Sequence, residues 1–280
     1  MRGERGMRNI GFKAVLLAAA LAVAAPAGAQ EAGADQTAEL ARKLANPIAA
    51  LISVPLQFNY DTDYGVDDDG TKSFVNVQPV IPISIGADWN VISRTILPLV
   101  SQSDIPSGTD ASGIGDILQS LFVSPKAPTS GGLIWGAGPV FLVPSASDDA
   151  LGGEKWGAGP TLVLLKQQGP WTAVFLANHL WSFAGDDGRA DVSATFVQPV
   201  VSYLFKKTYT TVSLNTESTY NWEADQDEWS VPINLAVAQM LKIGGRPLQV
   251  SLGARYWAAG PEAGPEGFGL RAGVTFLFPK

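Results

Sequence analysis

The connections between predicted strands alternate in length and in charge, and this alternation limits the possible folds more than any other feature of the sequence. From about residue 51 onward, apolar residues recur with the two-residue period of β-strands, between clusters of Gly, Pro, Asp and Ser. Odd-numbered connections are long and acidic, as in 61–70 and 144–154, whereas even-numbered ones are short and mostly basic, as in 206–208. The twelve predicted strands lie near 51–60, 72–85, 88–100, 113–124, 132–143, 155–166, 170–182, 191–205, 208–221, 229–241, 247–257 and 267–278.

Long connections at one end, tight turns at the other, an even number of strands and both termini on the tight-turn side are typical of an outer-membrane barrel. The alternation within strands would also suit a soluble barrel or sandwich, so the connections are the more decisive pattern. We therefore predict an all-β fold, an up-and-down antiparallel transmembrane β-barrel of about 12 strands with a short N-terminal helix.

Prolines inside the predicted strands conflict with this fold, because proline donates no hydrogen bond to a ladder and a closed barrel has no edge strand. They are Pro55, Pro79, Pro82, Pro98, Pro139, Pro160, Pro199 and Pro232. The barrel prediction therefore requires bulges at these positions, or strands that extend beyond the bilayer.

The composition narrows the possible functions. The chain is 46% hydrophobic and only 16% charged, yet beyond the N-terminus no apolar stretch reaches the length of about 18 residues that a membrane-spanning helix needs. The absence of cysteine excludes thiolate metal sites and cysteine nucleophiles, and one histidine leaves little scope for histidine chemistry. A net charge of −7 disfavours nucleic-acid binding.

The N-terminal residues predict export. Basic residues precede a twelve-residue apolar stretch, 14–25, and an A-x-A cleavage motif follows at 27–29. We predict a signal peptide at 1–29, an N-terminal segment at 30–50 with a short amphipathic helix at 36–45, and an outer-membrane β-barrel at 51–280. The predicted location is the bacterial outer membrane, reached with the help of the barrel-assembly machinery.

Aromatic residues at or near the predicted strand ends favour the same interpretation, because such rings form girdles at the two membrane interfaces. They are Trp89, Trp135, Trp156, Trp171, Trp181, Tyr209, Tyr220, Trp222, Trp229, Tyr256 and Trp257. Ordinary core packing is the alternative for each of them.

Several segments resemble a known group of proteins. They are ANPIAALISVPLQFNY (45–60), VQPVIPISIGADWNVISRTILPLV (77–100), GIGDILQSLFVSPK (113–126), the WGAGP repeats at 135–139 and 156–160, and AGVTFLFPK (272–280). The chain is similar over about 45–280 to bacterial outer-membrane β-barrel "transporter" proteins, some of them mislabelled neuromedin U and related to the meta-pathway phenol-degradation barrel family. The resemblance implies an outer-membrane barrel that passes small, aromatic or hydrophobic compounds, and it supplies no catalytic residue.

Charged and amide residues within the strands are the candidate site, because a charge facing lipid costs roughly 2–4 kcal/mol at mid-membrane and should therefore face the lumen. The predicted pore-lining residues are Asn76, Gln78, Asn90, Arg94, Asp116, Asn215, Glu217, Gln249, Arg255 and Arg271, with Asn234 beside them. Two alternatives remain open for them. They line an open polar pore, or they form an interior network that plugs a narrow barrel.

We expect no enzymatic activity, no cofactor and no resident metal. Asn178 and His179 would face opposite sides of one strand, so they do not suit a catalytic triad. The acidic stretch 61–70 fails the EF-hand pattern, because positions six and twelve hold Val66 and Lys72.

The expected function is passive, weakly selective passage of small molecules through an outer-membrane barrel, with acidic loops that favour cations or neutral solutes. The alternative is a closed structural or adhesive barrel whose acidic loops bind surface partners, or lipopolysaccharide through divalent cations. The expected partners are outer-membrane lipid, lipopolysaccharide and a small-molecule solute, with no nucleic acid.

Overall fold

The computed structural model describes residues 31–279, with side-chain surroundings from residue 36 onward. The predicted signal peptide at 1–29 lies outside the described residues. Residues Thr37–Lys280 form one compact unit. A single α-helix, α1 (Glu31–Leu44), precedes the strands in the described part of the chain.

Fifteen strand segments follow the helix. They are β1 (Ile52–Tyr64), β2 (Gly70–Val77), β3 (Val80–Ser84), β4 (Trp89–Ser103), β5 (Asp110–Ile114), β6 (Ile117–Pro125), β7 (Leu133–Val143), β8 (Lys155–Gln168), β9 (Trp171–Gly185), β10 (Ser193–Phe205), β11 (Thr210–Thr216), β12 (Ser218–Asn221), β13 (Trp229–Ile243), β14 (Arg246–Ala259) and β15 (Phe268–Phe278).

These segments make twelve barrel strands, because three strands are each interrupted once. β2 and β3 pair with β4 in one continuous register, and β11 and β12 pair with β10 in the same way. β5 and β6 both pair with β4, with a register shift of one residue between them. Each strand pairs antiparallel with its neighbours, and the ring closes where β1 pairs with β15. The predicted closed antiparallel barrel of twelve strands with one short N-terminal helix is confirmed.

The interruptions explain the prolines. Each of the eight in-strand prolines lies where the ladder to one neighbouring strand is missing, so the absent N–H removes no ladder bond on that side. Pro232 lies between the last residue that β11 pairs with β13 and the first that β12 does. Pro139 and Pro160 face each other across β7 and β8, and each has a gap in the ladder on its other side. Local loss of pairing therefore accommodates these prolines within a closed barrel.

The two faces of the wall differ in chemistry. Along β15 the apolar residues Phe268, Leu270 and Phe276 point outward and are exposed, whereas Arg271 points inward and is buried. The same alternation gives β13 and β14 an outward row that includes Leu235 and Leu252. The barrel consequently carries large exposed apolar side chains around its outside and polar groups inside.

The aromatic residues divide between the two faces. Trp89 and Trp171 are exposed at the tight-turn end, and at the long-loop end the exposed rings are those of Trp156, Trp181, Trp222, Trp229 and Tyr256. Two assignments to the girdles are wrong. The Trp257 indole points inward and donates to Asp61 Oδ1 at 3.2 Å, and Tyr209 packs against a buried apolar cluster.

The helix begins earlier than the sequence analysis predicted, at Glu31 rather than at residue 36, and ends at Leu44. The segment EAGAD that extends it is alanine-rich, and alanine has the highest helix propensity. Helix α1 ends just before Asn46, whose Oδ1 accepts from the Ile48 N–H at 3.0 Å. Within the described residues, no helix is long and apolar enough to cross a membrane.

Candidate functional site

The inside of the barrel contains a network of charged groups centred on three neighbouring strands. On β14, Arg255 Nη1 donates to Asp61 Oδ2 at 2.8 Å. On β15, Arg271 Nη1 and Nη2 donate to the two oxygens of Glu217 at 2.9 and 2.6 Å, which is a bidentate pair. Arg255 Nη2 also lies 3.3 Å from Glu217 Oε2, so Glu217 joins the two arginines.

Amide side chains complete this network. Asn59 Oδ1 accepts from both Arg255 and Arg271, at 3.0 and 2.8 Å. Asn234 Oδ1 accepts from Arg255 Nε at 3.0 Å and its amide donates to Asn215 Oδ1 at 3.1 Å. Two arginines and two carboxylates cancel in charge, and their polar atoms satisfy one another, which lowers the cost of burying them.

Local sequence explains why these groups meet. The register places Asp61 one residue beyond the Tyr60–Leu270 pair, close to Gly269, where a Cβ atom would collide with the Asp61 carboxylate. Glycine at 269 therefore leaves room for a fully buried aspartate. Glu217 lies at the break between β11 and β12, opposite Pro232 in the β13 register.

Arg94 lies apart from this network. Its Nη2 donates to Gln78 Oε1 at 3.0 Å, and Gln78 in turn donates to Gln57 Oε1 at 3.3 Å. Among residues 31–279, no carboxylate oxygen lies within the 4.0 Å of an ion pair with Arg94. Arg94 is therefore a cation on the inner wall whose hydrogen bond is to a neutral amide.

Asp116 organises a loop instead of pairing with an arginine. Its Oδ1 accepts from the backbone N–H groups of Ser145 and Ala146 at 3.1 Å each, and its Oδ2 accepts from the Gly153 N–H at 2.7 Å. Asp116 lies in the break between β5 and β6, within the GIGDILQS segment. This carboxylate holds the loop 144–154 at both of its ends.

The same loop reaches the mouth of the barrel. A Cβ atom on Gly113 or Gly115 would contact Ser147 or Leu151 of the loop, so the two glycines of the segment leave room for it. Gln102 Nε2 donates to the Ala150 carbonyl at 3.4 Å, and Leu151 lines a cavity inside the long-loop end. The loop therefore narrows that end of the lumen.

Among the cavities formed by residues 31–279, two lie inside the barrel wall. The loop-end cavity, of about 330 Å³, is lined by Asp61, Lys72, Asn76, Asp116 and Arg255, among others. The turn-end cavity, of about 170 Å³, is lined by Gln78, Arg94, Gln249 and residues of the N-terminal segment, among others. Both therefore combine polar side chains with apolar walls.

The inner wall also carries a buried apolar cluster, alongside buried polar residues such as Ser120, Thr161 and Asn178. The members of this cluster on β3, β4, β6, β8 and β9 lie in the tight-turn half of the barrel, whereas Asp61, Arg255 and Arg271 lie toward the long-loop end. The cluster comprises Ile48, Val80, Ile92, Phe122, Val163, Leu165, Val174 and Leu176.

Residues 40–51, which we call the cover segment, occupy the tight-turn end. Leu40 and Ala41 pack with Leu204, Met240 and Leu277, which lie near the tight-turn ends of β10, β13 and β15. Ile48 belongs to the buried apolar cluster of β3, β4, β6, β8 and β9. The cover segment thus contacts both sets of strands.

The structure places the residues that the sequence singled out on the inner face, in four environments. Asn215, Glu217, Arg255 and Arg271 belong to the charged network, Gln78, Arg94 and Gln249 line the turn-end cavity, Asn76 and Asp116 line the loop-end cavity, and Asn90 is buried near the tight-turn end of β4. Gln249 Nε2 lies 3.8 Å from Met240 Sδ.

Sequence analysis missed two members of the network, Asn59 and Asp61, since it placed residue 61 in an acidic loop. The structure continues β1 to Tyr64 and buries Asp61 completely. The alternation of β1 contained the signal, because the polar residues at 53, 57, 59 and 61 all share one side of the strand.

His179 lies on the outer face and Asn178 on the inner face of β9. His179 Nδ1 is 2.7 Å from Thr195 Oγ1, and its ring lies 4.0 Å from that of Trp181. Asn178 is buried in the lumen. The two side chains therefore do not act on one substrate.

The pKa values of two carboxyl groups in the long loops are shifted from their usual values. The Lys155 ammonium donates to Asp191 Oδ1 at 3.0 Å and, with the Ser182 hydroxyl, holds the pKa of Asp191 below its usual value. A hydrogen bond with Asp149 raises the pKa of Glu154. Within residues 31–279, no group of three His, Asp or Glu residues is arranged to hold a metal ion.

The fold is similar to that of a known outer-membrane channel. An outer-membrane channel from Pseudomonas putida F1 superposes with a TM-score of 0.62 at 18% identity, over 82% of this chain and 96% of that one. The β-domain of the Bordetella autotransporter BrkA has a TM-score of 0.45 at 13% identity, covering 82% and 100% of the two chains. The KdgM porin, in complex with disordered oligogalacturonate, has a TM-score of 0.42 at 12% identity, covering 81% and 99%.

No protein-family model matches the chain, and no curated protein does. At 18% identity, the similarity to the Pseudomonas channel establishes a shared barrel fold. The resemblance to the "transporter" barrels and phenol-degradation barrels stays a prediction.

The charged network predicts the effect of Glu217→Gln. The change removes the carboxylate that Arg271 binds through two hydrogen bonds, so the buried charge of Arg271 is left without an anion. The expected loss is about 2 kcal/mol of unfolding free energy, below the range of about 3–5 kcal/mol for a fully buried pair, because the Glu217 side chain is 22% exposed. Urea unfolding in detergent micelles measures it. Glu223→Gln, in an exposed loop, is the matched control, and equal midpoints for the two variants would contradict the role of Glu217.

The loop contacts predict the effect of Asp116→Ala. Three backbone N–H groups of the loop 144–154 lose their acceptor, so this loop should be cut faster by protease than in the unaltered protein. Limited proteolysis of the folded barrel, with the cut sites mapped by mass spectrometry, tests this. Asp110→Ala removes an exposed carboxylate of β5 as the control. If cleavage between 144 and 154 is as slow in Asp116→Ala as in the control, Asp116 does not hold the loop.

Proposed function

We propose that this chain is a bacterial outer-membrane barrel that allows passive, weakly selective passage of small molecules, including aromatic or hydrophobic ones. The observation that carries the proposal is the pairing of an apolar outer face with two cavities inside a closed wall. The barrel fold that the chain shares with an outer-membrane channel agrees with it.

The outer face supports membrane insertion. Side chains such as Leu214, Leu235 and Leu252 are each more than half exposed in the middle of their strands. Exposed apolar surface of this extent is costly in water, and a closed barrel leaves no unpaired strand edge within a membrane. Exposed tryptophans near both ends suit the two membrane interfaces.

The linings of the two cavities support passage of amphipathic solutes. A solute in the turn-end cavity meets Arg94 and Gln78 together with apolar side chains such as Leu44. A solute in the loop-end cavity meets Lys72 and Asn76 together with Phe74. Such a surface solvates a molecule that has both a polar group and an apolar body. Because both cavities combine polar and apolar lining residues, we infer weak selectivity for passage.

The remaining features of the proposal concern export and partners. A signal peptide at 1–29 would direct the chain out of the cytoplasm, and the barrel-assembly machinery would insert it. The outer-membrane lipids and lipopolysaccharide would surround the apolar face and the long loops.

A closed structural or adhesive barrel is the second candidate, and the cover segment favours it. Residues 40–51 pack across the tight-turn end and leave only limited space beside them. In this case the acidic loops would bind surface partners, or lipopolysaccharide through divalent cations.

Liposome swelling separates the two candidates. Purified protein in liposomes should admit sugars, amino acids and aromatic acids, each at a rate that falls with solute size. Protein-free liposomes and liposomes with heat-unfolded protein are the controls. If liposomes that contain the folded protein swell with none of these solutes, the barrel is closed and passage is excluded.

The cover segment predicts the effect of deleting residues 31–46. This deletion removes Leu40 and Ala41, which pack against β10, β13 and β15, so single-channel conductance should rise by roughly twofold or more. Planar-bilayer recording of both proteins measures it. The control is Glu39→Gln, which alters an exposed residue of the same helix and keeps the buried contacts. Unchanged conductance after the deletion would mean that the segment does not limit flow.

A further inference from the structure

We propose that the turn-end cavity is a binding site for a small organic carboxylate with an apolar body, with Arg94 as its anchor. The inference rests on the proposed function in one respect, since a solute has to enter the lumen to reach this cavity. It goes further by assigning a class of ligand and a residue that recognises it.

Arg94 differs from the other inward arginines in having no anion. Arg255 and Arg271 bind Asp61 and Glu217, whereas the hydrogen bond of Arg94 is to the amide of Gln78. A guanidinium presents five N–H donors in a planar fork, and the bond to Gln78 uses one of them. The remaining donors suit the two oxygens of a carboxylate, which bind such a fork in a bidentate manner.

Glu217 does not provide the missing charge by direct contact. It acts on Arg94 electrostatically from beyond ion-pair distance. Both of its oxygens are already bound, Oε1 by Arg271 and Gln198 and Oε2 by Arg271 and Arg255. The charged network is neutral by itself, so the charge of Arg94 is left for a ligand to compensate.

The lining of the turn-end cavity also favours an anionic ligand. It includes the cations Lys43 and Arg94 and the amides of Gln78 and Gln249, and none of its lining residues is an aspartate or a glutamate. Leu44, Leu51 and Val80 add apolar surface. A carboxylate would therefore meet donors and positive charge, while its hydrocarbon part would contact aliphatic side chains.

The volume limits the size of the ligand. About 170 Å³ is many times the roughly 10–15 Å³ of cavity that one water molecule needs, so the space holds a small organic molecule. A single aromatic ring with one carboxylate, or a short aliphatic acid, has a suitable size, whereas a dicyclic acid or an oligosaccharide does not. Benzoate is therefore the probe, and benzamide is its neutral counterpart of almost the same shape.

The experiment measures equilibrium binding to the purified full-length mature barrel in detergent by isothermal titration calorimetry. Benzoate should bind about tenfold or more tightly than benzamide, because only benzoate forms the charge-assisted pair with Arg94. Arg94→Gln should weaken benzoate binding by a similar factor and leave benzamide binding unchanged. Arg94→Lys, which keeps the charge but loses the planar fork, should lie between.

The matched control is Arg246→Gln, which removes an exposed arginine at the tight-turn end of β14 outside the cavity and should leave benzoate binding unchanged. Heat-modifiable gel migration verifies that each variant is folded. Equal affinity for benzoate and benzamide in the unaltered protein, or equal loss in Arg94→Gln and Arg246→Gln, would overturn the proposal. The comparison of the two ligands requires no variant, so it stands even if Arg94→Gln fails to fold.

Benzoate binding tests the carboxylate site and liposome swelling tests passive passage, so either proposal can fail without the other. Swelling with equal affinity for the acid and the amide would keep the passive channel and remove the carboxylate site. Arg94-dependent benzoate binding without swelling would keep the site and remove passage across the membrane.

Discussion

Closure of the hydrogen-bond ladder is the constraint on which this structure depends. A barrel wall that faces lipid has no water to satisfy backbone N–H and C=O groups, so every break in the ladder needs a local partner. The wall contains three interrupted strands, and an inward polar residue stands at each interruption: Gln78, Asp116 and Glu217. Their side chains bond to Arg94, to the backbone of the loop 144–154 and to Arg271, respectively. The irregular parts of the wall are thus the parts that carry its interior chemistry.

Charge compensation then divides the interior. Asp61 and Glu217 neutralise Arg255 and Arg271 toward the long-loop end, and an apolar cluster lies in the tight-turn half. Arg94 lies on β4, two residues from Ile92 of that cluster, and is bound to an amide. A buried charge without a counter-charge is costly, so an uncompensated arginine beside a cavity indicates where an anion would gain most from binding.

The sequence predicted the wall well because a strand in a membrane barrel has a period of two and a large energetic difference between its faces. Arg271 and Arg255 could be placed inward on that ground alone. Asp61 could not, since an acidic residue beside Asp63 and Asp67 also suits a solvated loop, and the glycine at 269 that makes room for it is more than two hundred residues away. The docking of the cover segment and the lack of an anion at Arg94 depend on packing between distant strands, which local patterns do not contain.

The position of the cover segment has a consequence for the order of assembly. Leu40 and Ala41 share their buried cluster with Leu277, which belongs to the last strand, and the cover segment runs directly into the first strand. The seat for the helix is therefore complete only after β15 has joined β1 and the ring has closed. Before the ring closes, the docking site of the cover segment lacks Leu277, so stable docking of this segment would mark a completed barrel.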